Sequence, residues 1–153
     1  MAWIAEGGGP SEADIELCSK PAIPRDVDIN ELCRLLTVLK SYPNKRWPAK
    51  PEVVLVDKVV MAVRGCSSVI KARQDAALAA GAVPLLVDVI TGVHASDKET
   101  CLRAAQCIMG VAGKNDGVIA AFKEAGAEAA LHAIVATHDH KDMKTALALI
   151  CPE

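Results

Sequence analysis

The phrase Ala79-Ala80-Gly81-Ala82-Val83-Pro84-Leu85-Leu86 returns in degraded form as Glu124-Ala125-Gly126-Ala127-Glu128-Ala129-Ala130-Leu131, with the two glycines 45 positions apart. Val60-Met61-Ala62-Val63-Arg64-Gly65 and Ile108-Met109-Gly110-Val111-Ala112-Gly113 form a second pair, 48 positions apart. The drift from 48 to 45 places a three-residue length difference in the connection before Gly81. Self-similarity at this period marks a helical repeat in which each unit buries its apolar face against the next. Such an architecture favours binding over catalysis. Past the second glycine phrase, Lys141 to Ile150 reads as a helix comparable to Lys98 to Ile108, so the last unit is expected to be incomplete.

The local signals fit this frame. Residues 1–25 carry Gly7-Gly8-Gly9-Pro10, Pro21 and Pro24, which predicts an extended arm in which only Ser11 to Ser19 has room for a short helix. Trp3 and Ile4 are its apolar anchors, and the arm is expected to act as a tether rather than as part of the core, ordered only where it meets a partner or packs along the helices. Asp28 followed by Glu31, with Ile29, Leu32, Leu35, Leu36 and Leu39 at helical intervals, predicts an amphipathic helix over 29–41. Pro43, Pro48 and Pro51 then make 42–51 a linker. The apolar run 53–63 suits a strand or a helix. A single buried strand would send Asp57 and Lys58 to opposite faces, whereas a helix stripes Val53, Val56, Val60 and Val63 and leaves Lys58 outside, so helix is expected.

Helix signals resume from Val69 to Ala79, and Gly81 stands where a C-terminal cap needs positive φ. Pro84 falls in the first turn of a helix ending near Ile90, where its missing N–H does no harm. Ser96 or Asp97 can cap the next helix, whose apolar face is Leu102, Ala105, Ile108 and Met109. Gly113 to Gly117 reads as a turn, and helices follow at 118–124, 127–136 and 140–150. The expected division is an arm at 1–25, a helix and linker at 26–51, and repeats at 52–153.

Composition excludes several classes of function. With 153 residues, 52% of them apolar, the chain has material for one domain with a core. Aromatics make up 3%, which leaves no platform for base stacking, and a net charge of -2 gives no footprint for nucleic acid or anionic lipid. The N-terminus lacks a basic region followed by an apolar one, and no apolar run reaches the roughly 18 residues of a membrane span. Six cysteines at 18, 33, 66, 101, 107 and 151 form no Cys-x-x-Cys pair; they read as small buried hydrophobes kept reduced, which predicts a cytoplasmic location. Lys45, Arg46 and Lys50 read as a solvated loop.

Candidate chemistry is sparse. His138-Asp139-His140 with Asp142 reads as a solvated turn whose Asp caps the next helix rather than as a metal site, and His132 as a structural imidazole. Gly7-Gly8-Gly9 and Gly113-x-x-x-Gly117 lack the Gly-Lys-Ser/Thr ending of a phosphate loop. Cys66-Ser67-Ser68 has no signature of a nucleophile with its base and reads as a tight interhelical turn. No catalytic residue, metal, cofactor or small-molecule substrate is expected.

The short, long, long helical rhythm, with Gly-Ala-x-Pro-x-Leu opening the middle helix and an Ala-Ala-centred third helix, resembles the armadillo repeat over residues 52–150. The resemblance implies an all-α fold, an armadillo-like right-handed α-solenoid of about two repeats preceded by an N-terminal helix and the Pro/Gly-rich arm. It also implies that third helices line a concave face, offering Lys58, Arg103, Gln106 and Lys114 to a partner segment. In the nuclear-import members of this family a Trp and an Asn on that helix clamp a basic peptide; here those positions hold Gln106 and Gly110, and Lys58 and Ala62 in the earlier unit. The expected function is non-catalytic protein–protein interaction, as a scaffold subunit or segment of a larger assembly, with the arm and a C-terminal edge at Leu147 and Ile150 as further contacts. The alternatives are a free-standing peptide receptor using the concave face and a small α/β enzyme with strands at 53–56 and 83–90.

Overall fold

The structure, a computed structural model, describes residues 9–152, so Trp3 and Ile4 lie outside the described residues. Nine helices are found among them: α1 (Glu12–Ser19), α2 (Ile29–Leu39), α3 (Val56–Ser67), α4 (Lys71–Ala79), α5 (Ala82–Thr91), α6 (Lys98–Ala112), α7 (Asp116–Glu124), α8 (Ala127–His138) and α9 (Lys141–Ile150). A small antiparallel hairpin, β1 (Arg46–Trp47) and β2 (Lys50–Val54), joins α2 to α3. The chain is therefore mostly helical, and residues 83–90, a strand in the α/β alternative, lie in α5.

Helix ends fall where side chains or glycine satisfy the backbone. Asp97 accepts from the Thr100 N–H at 3.0 Å, Asp28 from Asn30 at 2.7 Å, and the Asn115 side chain from Gly117 and Val118, each meeting an N–H the helix cannot pair itself. Gly81 and Gly126 hold φ of 91° and 87°, a left-handed conformation that costs glycine nothing, and each turns the chain from a short helix into a longer one. At the first of these turns α4 and α5 bend by 71°. The glycine repeat in the sequence is thus a repeated corner.

Helices three places apart in chain order pack on one another: α3 on α6 and α6 on α9, α2 on α5 and α5 on α8, α4 on α7. Val59, Val60 and Val63 of α3, Ala104, Ala105 and Ile108 of α6, and Met143, Ala146 and Ile150 of α9 form the continuous core between them. Among the described residues the α3–α6 contact is the most extensive. Gly110 makes it possible, because a Cβ there would stand 2.5 Å from the Ser68 Oγ and 3.3 Å from the Arg64 Cγ.

Three expectations need correction. Residues 46–54 form a hairpin rather than a linker running straight into a helix; β-branched Val53 and Val54 favour extended backbone, and the prolines are tolerated because a two-stranded sheet is all edge. Val53 is buried on the strand, and α3 starts only at Val56. Next, the arm contributes to the core as well as packing along the helices. Ser11 and Asp14 form a capping box on α1, Asp14 bonds Arg34 at 2.8 Å, and Cys18 and Ile23 are buried. Finally, Ile150 is fully buried and Leu147 packs half-buried on the core, so the C-terminal helix covers its own apolar side and Ile150 is not open to a partner.

Candidate peptide-binding face

Two clefts lie along the face made by α3 and α6. The first, of about 200 Å³, sits near the start of both helices and is lined by Pro21, Arg46, Val54, Asp57, Lys58, Met61, Glu99 and Arg103. Beside it the arm crosses α3. The Lys58 Nζ donates to the backbone carbonyls of Lys20 at 2.7 Å and Pro21 at 3.2 Å, and farther along the helix the Cys66 thiol donates to the carbonyls of Arg25 and Val27. Lys58, expected to await a partner, already holds the chain's own extended segment. Lys58→Met is expected to leave the helices intact while raising trypsin cleavage after Arg25 about fivefold, which corresponds to about 1 kcal/mol of lost charge-assisted hydrogen bonding. Unchanged cleavage would mean that Ile23 and Cys18 alone hold the arm.

Under this cleft lies an ion network that the loop reading of Lys45 misses. Its ammonium reaches the Asp57 carboxylate at 3.2 Å, Asp97 at 3.2 Å and Glu99 at 2.9 Å, and Thr100 donates its hydroxyl hydrogen to Asp57. Partial burial works against the Lys45 charge, but the bonds to Glu99, Asp57 and Asp97 outweigh it and hold its pKa above the ordinary lysine range. Burial likewise opposes ionisation of Asp97, yet the Thr100 N–H and Lys45 bring its pKa below the usual carboxylate range. Lys45 similarly lowers that of exposed Glu99. Arg103 pairs loosely with Glu99, 3.7 Å away and one turn back on α6. Lys45 thereby fastens the hairpin to the first turns of α3 and α6.

The second cleft is larger, about 650 Å³, and occupies the other half of the face. Arg64, Ser68 and Val69 form one wall, Gln106 and Met109 the other, with Gly110 and Gly113 in the floor and Lys71, Gln74, Lys114 and Asn115 closing one end. Gly113, at φ 46°, has no room for a side chain, since a Cβ would stand 2.4 Å from the Gln74 Nε2. That amide is itself fixed by donating to the Gly110 carbonyl at 3.1 Å. The two glycines thus let Ser68 and Gln74 pack closely against the end of α6. Asn115 is held by donating to Asp75, which also takes Lys71 at 3.0 Å. Among the described residues neither Arg64 nor Lys114 has a carboxylate within ion-pair distance, and both are exposed.

Val69 is the unusual residue of the wall. Its φ is 75°, in a three-residue turn closed by the Ile70 N–H on the Ser68 carbonyl at 2.8 Å, and the residue is 89% exposed. For a β-branched residue that conformation costs on the order of 1–3 kcal/mol, which no burial of its own side chain offsets.

The four expected face residues divide between the clefts. Lys58 and Arg103 line the first, Gln106 and Lys114 the second, and the Gln106 amide donates to Asp142 of α9 at 3.0 Å. Sequence reasoning missed Arg64, Val69 and Met109. The available signal was the Gly110 and Gly113 pair at the end of α6, whose missing side chains leave room for close neighbours, here Ser68 and Gln74.

The remaining polar candidates bond the backbone or pair with a neighbouring side chain. The His138 Nε2–H donates to the Ala95 carbonyl at 2.9 Å, Asp139 takes a left-handed φ of 54° and pairs with Lys144, and His140, not an Asp, caps α9 by accepting from the Asp142 N–H. His132 faces Glu128 one turn away at 4.0 Å. Among the described residues no group of three or more His, Cys, Asp or Glu is placed to hold a metal. Burial pushes the Cys18, Cys33 and Cys101 thiols up to about 11, so they are protonated at neutral pH and poor nucleophiles. No single helix among the described residues is long and apolar enough to cross a membrane.

No family model matches the chain, and neither the curated proteins nor the solved structures contain a match.

Proposed function

We propose that the chain is a non-catalytic protein-interaction module, an armadillo-like α-solenoid of about two units, that receives an extended segment of a partner chain along the α3–α6 face. The observation that carries this reading is the open 650 Å³ cleft on the face where counterpart helices α3 and α6 meet. A groove between stacked repeats suits an extended ligand, since each unit adds a similar set of side chains along its length. The arm gives an internal precedent, because Lys58 binds the backbone carbonyls of an extended segment on the same face. The reading includes a place in a larger assembly and a cytoplasmic location, in line with the thiol usage.

The test is a pull-down with the full chain and with the Gln106→Ala/Lys114→Glu variant, read by mass spectrometry beside circular dichroism of both. A partner held by the first and lost by the equally folded second supports the reading. A partner held equally by both places binding elsewhere and overturns it.

A further inference from the structure

The lining of the second cleft is one-sided in charge. Its eleven residues include Arg64, Lys71 and Lys114 and not one carboxylate, in a protein whose net charge is -2. Asp75 pairs with Lys71, which leaves Arg64 and Lys114, from α3 and from just past α6, without a counter-charge among the described residues. The apolar share of the lining is equally specific: Met109, a flexible side chain, and Val69, held in a strained turn with its isopropyl group in solvent. Glycine would sit at Val69 without strain and would lose nothing from the core.

Resting on the reading above, we propose that the partner segment is an acidic peptide carrying one aliphatic side chain, its carboxylates meeting Arg64 and Lys114 and its aliphatic group lying between Val69 and Met109. Charge complementarity across an interface selects partners and speeds encounter, while a small desolvated apolar contact fixes register. A polynucleotide is disfavoured, since two unpaired cations make a short track for a phosphate backbone and the cleft has no aromatic ring on which bases stack.

The experiment is fluorescence anisotropy with the full chain and three labelled peptides of about ten residues, some 33 Å when extended. One alternates Asp and Glu around a central Leu, one replaces each acid by Lys, and one keeps the acids but replaces Leu by Ser; unlabelled oligodeoxythymidylate is the competitor. The acidic Leu peptide is expected to bind best, and to weaken at least about tenfold in Arg64→Glu/Lys114→Glu, or about 1.4 kcal/mol. Lys114→Glu alone, at an exposed position, should give part of that loss if the double variant folds poorly. Val69→Gly should weaken the Leu peptide to the level of the Ser peptide while thermal stability stays level or rises, a pairing that a merely structural role for Val69 does not produce. Undiminished affinity in the charge-reversed variants overturns the proposal, as does competition by the oligonucleotide at equal charge. Preferred binding of the Lys peptide, lost in Gln106→Ala, overturns the acidic specificity and leaves the peptide-binding face standing. Failure of all three peptides to bind overturns both.

Discussion

Replacing Lys45 by methionine is expected to lower the unfolding free energy by about 3 kcal/mol at neutral pH, because it strands a buried carboxylate. Asp57 is 5% exposed, and without the ammonium it keeps the Thr100 hydroxyl while facing Asp97 and Glu99 unopposed. Methionine preserves the apolar stem, so lost packing contributes little. Urea denaturation measures the effect, and adding Asp57→Asn, which still accepts from Thr100, should recover most of it. The pH dependence has a definite sign. Asp97 and Glu99 have depressed pKa values in the folded chain, so their stabilisation is complete above the ordinary carboxylate range and is lost as pH falls through their folded values. The gap between wild type and Lys45→Met should therefore narrow between about pH 6 and pH 3. A loss under about 1 kcal/mol, constant with pH, would mean that solvent already screens the network.

That network shows where sequence reading reaches its limit. The helices were legible because their signals are local: the apolar spacing of α2, Asp97 before α6, and the two glycine corners 45 residues apart. Lys45 looked like a solvated loop residue because its partners lie 12, 52 and 54 positions away and become neighbours only when the hairpin folds onto α3 and α6. The Val53–Val54 misreading has the same origin. β-Branched residues fit a strand or a helix, and pairing with Arg46, which no helical period reveals, decided between them. At the candidate site, Gln106 and Lys114 were visible as polar positions on α6 and just past its end. Arg64 and Val69 were not, since their value lies in what faces them across Gly110.

Burial at a crossing of five helices makes Phe122→Ala the most damaging single change. Phe122 is the only phenylalanine of the chain and is fully buried on α7, a helix that touches α4, α5, α6, α8 and α9. Truncating a buried aromatic ring costs about 3–5 kcal/mol, through lost transfer energy and the cavity left behind. That cost falls first on α7 and the helices it touches and spreads through their contacts with the rest of the core. Here the interface is broad, with α9 on α6, α8 on α5 and α7 on α4, so the whole chain is expected to keep one transition, moved down, rather than shed α7–α9 separately. Hydrogen exchange in low urea checks this: α3 and α8 amides should open together in the variant. Early opening of α8 with α3 still protected would show the last unit to be separable. Peptide binding provides an independent reading, since Lys114 and Asn115, at the entry to α7, close the end of the second cleft. If the units are coupled, affinity falls in step with global stability; if the last unit opens alone, affinity is lost while α3 remains folded.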